Sequence, residues 1–119
     1  MRGASALESL LEAQRDPHLR VFVIWVPVLA TDLSAPSTIT LRRIHDPRVA
    51  QYWDRNRVLS HVMGERDRSS VVWDYIAVYK PEQIWTDVPP QPEFKGRPVV
   101  HFIEGTRKTL ETIYAETKN

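Results

Sequence analysis

The chain of 119 residues has no cysteine, which excludes disulfides, thiolate zinc sites, iron–sulfur clusters and a cysteine nucleophile. It cannot by itself carry out thiol–disulfide chemistry. Glycine is scarce as well, four in all, and neither a Gly-x-Gly-x-x-Gly turn nor a Walker loop occurs among them. No serine sits in a Gly-x-Ser-x-Gly elbow, so phosphate-cradling, cofactor-binding and hydrolase readings have no motif behind them. Charge of one sign is also lacking. Sixteen Lys and Arg against fifteen Asp and Glu leave a net charge of +1, which supplies no electrostatic reason to expect nucleic acid or an anionic membrane as partner. The longest apolar run, residues 21–30, is broken by Pro27 and is about half the length a spanning helix needs. Residues 1–11 carry no long apolar segment and no small-residue cleavage site, so secretion is not indicated and the cytosol is the default expectation.

What is present reads as one α/β domain, since a chain of this length buries enough surface for a single core. Ser5 and Glu8 stand at capping-box spacing, and Leu7, Leu10 and Leu11 repeat at helical intervals, predicting a helix over 6–15 that Pro17 ends. Residues 21–26, Val-Phe-Val-Ile-Trp-Val, read as a strand covered on both faces. Ser34 and Pro36 predict a short helix reaching about Ile44. Val49, Tyr52, Trp53, Leu59, Val62 and Met63 predict two short helices broken near Asp54, with a charged surface loop over 65–70. Strict alternation predicts a strand over 71–79, and a Lys80-Pro81-Glu82-Gln83 turn leads into a second strand at Ile84 and Trp85. Residues 86–97 are proline-rich and irregular, 98–103 read as a strand, and a helix follows from Thr106.

Asp74 carries the sharpest chemical signal. Alternation puts it on an otherwise apolar strand face, where desolvation would raise its pKa and suit it to acid–base work; at an exposed edge it would instead guard against aggregation. Trp25, Trp53, Trp73 and Trp85, with arginines nearby, could stack a ligand, although tryptophans at such positions are more often core. The histidines, His18, His45, His61 and His101, fall in separate elements, and no spacing reads as two metal ligands on one helical face, so neither a metal site nor a catalytic set is expected. The proline-rich segment between Trp85 and Pro98 could be a semi-rigid recognition segment or a covering loop.

The element order helix, strand, helices, antiparallel hairpin, helix is that of a thioredoxin-like domain after its first strand. The phrases Val21-Phe-Val-Ile-Trp-Val-Pro-Val-Leu-Ala-Thr-Asp32, Asp46-Pro-Arg-Val49, Gln51-Tyr-Trp-Asp54, Val72-Trp-Asp-Tyr-Ile-Ala-Val-Tyr79 and Pro98-Val-Val100 closely resemble a bacterial group of thioredoxin-like proteins. The resemblance implies a thioredoxin-like mixed sheet flanked by helices, here without the usual central first strand and the Cys-x-x-Cys motif at its end. It adds Pro27, Asp46 and Asp54 to the tryptophans and Asp74 as candidate binding positions. Relative to its family the chain looks N-terminally truncated. Either the natural start lies upstream and this is the remainder of a thiol oxidoreductase, or a short, redox-inactive protein closes its sheet another way. In the second case residues 21–26 and 71–79 are expected to pair with each other or with a second copy, because unpaired buried backbone groups are costly. The chain is thus expected to be a structural or partner-binding module, and its unpaired backbone predicts a homo-oligomer or protein partner; a small enzyme using Asp74 is the alternative.

Overall fold

A computed structural model describes residues 2–28, 34–65 and 70–118. The chain is α/β and divides into two compact units, Met1–Asp16 with Asp74–Asn119, and Pro17–Trp73.

In the second of these, β1 (Val21–Trp25) and β2 (Val49–Trp53) pair in parallel, with Val21 opposite Val49 and Trp25 opposite Trp53. The crossover between them holds α2 (Thr38–Leu41), whose N-cap is Ser37, its side chain accepting from the Thr40 N–H. Helix α3 (Val58–Val62) follows β2 and stops before Gly64, whose φ of 118° is cheap only for glycine. β2 replaces the first of the two expected helices. Val49, Tyr52 and Trp53 fit a helical spacing, yet they also alternate as a strand, and the parallel ladder to β1 decides between the two.

The other unit contains α1 (Arg2–Ala13), β3 (Ile76–Val78), β4 (Phe94–Gly96) and α4 (Val99–Lys118). β3 and β4 are antiparallel, with Ala77 opposite Lys95, and α4 packs on α1 and on both strands. Leu10 and Leu11 of α1 are buried, as their spacing predicts, but the helix starts at Arg2, so Ser5 lies inside it and caps nothing. Phe94 and Phe102 meet at 6.0 Å between ring centroids. Each ring fills a notch left by a glycine: Phe102 lies where a Cβ on Gly96 would stand, and Phe94 where a Cβ on Gly105 would stand.

Three expectations fail in this unit for physical reasons. Residues 99–103 begin a helix, because Val99, Phe102, Thr106, Leu110 and Ile113 form one helical stripe along α4. The strand expected over 71–79 contracts to Ile76–Val78, since Asp74 adopts φ 48° and breaks the extension. Its partner is β4 and not residues 84–85, which lie in the long loop between the two strands. The two runs do not pair with each other: within the chain β1 lies against β2, and β3 against β4. What is established is an α/β chain with small parallel and antiparallel sheets, and among the described residues no helix is long and apolar enough to cross a membrane.

Candidate interaction surface

The parallel ladder fixes which backbone groups of β1 are used. The Val21 N–H donates to Arg48 O (3.0 Å), and the Asp54 N–H donates to Trp25 O (2.8 Å). With the register of β1 on β2, these bonds turn the main-chain groups of Val21, Val23 and Trp25 toward β2. Those of Phe22 and Ile24 point off the opposite edge, where no strand lies against them among the described residues. The same alternation places the side chains of Phe22 and Tyr52 on one face, stacked at 6.4 Å and exposed at 65% and 53%. An uncharged edge that no described strand covers, beside exposed aromatic rings, is a template for strand addition.

Several predicted binding positions gather at the carboxyl end of this strand pair. Trp25 and Trp53 are register partners there, Pro27 is buried just beyond β1, and Asp54 directly follows β2. The side chains of Trp25 and Asp54 are already engaged in holding the fold. The Trp25 indole N–H donates to Gln51 Oε1 (2.9 Å), and Gln51 Nε2 donates in turn to Leu41 O and Ile44 O, fastening the crossover to the sheet. The Asp54 carboxylate accepts the N–H groups of Val58 (2.8 Å) and Leu59 (2.9 Å), starting α3. Asp46 accepts from the Arg48 main chain and guanidinium at 2.7–2.9 Å and sets the turn that launches β2. Trp73, the last residue of the same unit in sequence, is exposed.

Asp74 and Trp85 belong to the other unit. Asp74 is exposed rather than buried, and Oδ1 accepts the Val99 N–H (3.0 Å), so it caps α4 across 25 residues of sequence. The premise of a desolvated acid is therefore not met. Asp74→Ala should lower stability by about 1 kcal/mol through the lost cap, while Asp74→Asn, which keeps an acceptor and tolerates positive φ, should cost far less. Urea denaturation of the pair checks this. Trp85 packs edge-on against Tyr79 at 5.3 Å, in a loop that exposes Ile84 and Val88. Burial pushes the phenols of Tyr75 and Tyr79 above their ordinary value, and for Tyr79 the neighbouring Tyr75 adds to it.

Sequence reading missed one cluster. The Glu65 side chain, expected in a surface loop, is fully buried and its Oε1 accepts from Arg57 Nε (2.8 Å) and Ser60 Oγ (3.1 Å). Its Oε2 lies 2.9 Å from His61 Nε2, within ion-pair range but without hydrogen-bond geometry. Ser60 Oγ accepts the Val72 N–H (2.8 Å), which ties the chain after α3 back onto the helix. The signal is in the sequence: Arg57, His61 and Glu65 stand at intervals of four, a carboxylate–histidine spacing. Residues 66–69 of the expected loop, and 31–33 of the expected cap region, lie outside the described residues. Among the described residues no group of three His, Asp or Glu side chains is placed to hold a metal ion.

No family model, curated protein or solved structure matches the chain.

Proposed function

We propose that the chain is a redox-inactive thioredoxin-like domain that serves in the cytoplasm as a structural or partner-binding module, receiving an extended strand on the free edge of β1. The observation that supports this is the outward-facing backbone of Phe22 and Ile24 beside the exposed Phe22–Tyr52 pair. Main-chain hydrogen bonds from an added strand would satisfy those groups, and its side chains would cover the rings, the usual division between affinity and specificity in strand addition. The partner is a protein strand, either from another copy of the chain or from another protein. Enzymatic use of Asp74 loses its motive, because that carboxylate is exposed and occupied with capping α4.

The test exploits the ladder. Ile24→Pro removes an outward N–H and leaves the amides that bond β2 untouched, so the fold should tolerate it as edge strands tolerate proline. With a photo-reactive phenylalanine analogue at position 22 in the native cell, capture of a partner should fall about tenfold for Ile24→Pro and little for Ile24→Ala.

A further inference from the structure

We infer that the strand received by β1 is β1 of a second copy, paired antiparallel about a twofold axis through Val23; this rests on the strand-addition reading above. The outward groups of Phe22 and Ile24 bracket Val23. Turning a second β1 about that point sets Phe22 against Ile24 of the second copy, and Ile24 against its Phe22, so that every outward N–H meets an outward carbonyl. The result is one mixed sheet in the order β2, β1, β1, β2.

The side chains agree with this arrangement. β1 is Val-Phe-Val-Ile-Trp, with no lysine, proline or charge of the kind that blunts a free edge. Phe22 and Ile24 share a face by alternation, so pairing lays the 65% exposed Phe22 ring beside Ile24 of the second copy. The stacked Tyr52 of each chain borders that strip. Charge also selects the direction. Arg20 precedes β1 and is exposed; in-register parallel pairing would set it beside Arg20 of the second copy, whereas the antiparallel arrangement places it opposite Val26 and parts the two arginines to opposite ends. A five-residue strand contact falls short of the area of a standard interface, so the dimer should be weak and concentration-dependent.

The absence of cysteine makes a direct test possible. Across the twofold axis the two Val23 Cα atoms would lie about 4.5 Å apart, inside disulfide range, so Val23→Cys should oxidise to a covalent dimer. Phe22→Cys and Ile24→Cys would each face their own copy at about 8–9 Å, beyond reach, and should cross-link roughly tenfold more slowly. Mixing those two variants should restore cross-linking between unlike chains. Light scattering of the unaltered protein should show the mass rising from monomer toward dimer with concentration. A monomer mass throughout, or cross-linking that does not favour Val23→Cys, overturns the second-copy proposal. If Phe22 still captures another protein in an Ile24→Pro-sensitive manner, strand addition stands and only the identity of the strand is wrong; if that sensitivity is missing too, both fall.

Discussion

Gly105→Ala should destabilise the chain by about 2 kcal/mol, with the opposite sign to the same change in an ordinary helix, where alanine gains about 1 kcal/mol over glycine. Gly105 sits within α4, where its backbone needs no special freedom, so the expected gain comes from helix propensity alone. Against it stands the Phe94 ring, which occupies the position an alanine Cβ would take. Phe94 has little room to retreat, because it also packs against Phe102, which fills the corresponding notch at Gly96. Strain at one glycine is therefore passed to the other. The double variant separates the causes: with Phe94→Leu in place, Gly105→Ala should become neutral or stabilising, a coupling that denaturation of the four-member cycle measures. Additive behaviour would show that the ring is not what fixes the glycine.

Glu65→Ala should cost about 3 kcal/mol, because removing one partner from a buried charge cluster leaves the others unsatisfied. The carboxylate is fully enclosed and holds Arg57 and Ser60, and through Ser60 the Val72 amide. Arg57 and His61 retain some contact with water, so part of their loss is recovered by hydration and the effect stays below the upper range for a fully buried pair. Glu65→Gln preserves the shape and one acceptor and should cost less than half as much. Ser60→Ala should reproduce the part that travels through Val72. Thermal or urea melts of the three variants check the order, and an unchanged midpoint for Glu65→Ala would contradict the reading of this cluster as what fastens α3.

The α/β class, the first helix and β1 were legible because each rests on local signals: leucines at helical spacing, and an uninterrupted run of β-branched and aromatic residues. The C-terminal helix was legible from Thr106 onward, but not its first two turns, where Val99, Val100, Phe102 and Ile103 are equally good strand residues and a distant carboxylate, Asp74, caps the start. β2 was hidden for a related reason: Val49, Tyr52 and Trp53 satisfy two periods at once, and only the parallel partner chooses between them. Asp74 was misplaced because alternation was carried through a residue that turns the chain at φ 48°. Of the candidate binding residues, Trp25, Trp53 and Asp54 do meet, yet the polar groups of Trp25 and Asp54 hold the fold. Which backbone groups of β1 face away from β2 follows from the register, which no local pattern discloses. The Arg57, His61 and Glu65 spacing is readable, but α3 ends at Val62, so the spacing alone does not bring the three together.

The measurement that bears most directly on the central claim is photo-capture at Phe22 compared between Ile24→Pro and Ile24→Ala, with the thermal melt of each variant recorded alongside. Strand addition predicts melts close to the parent for both, capture retained with alanine, and capture lost with proline, because only proline removes the outward N–H. Equal capture by two folded variants would contradict it, and would mean that whatever covers Phe22 and Tyr52 does so through side chains, without using the edge of β1.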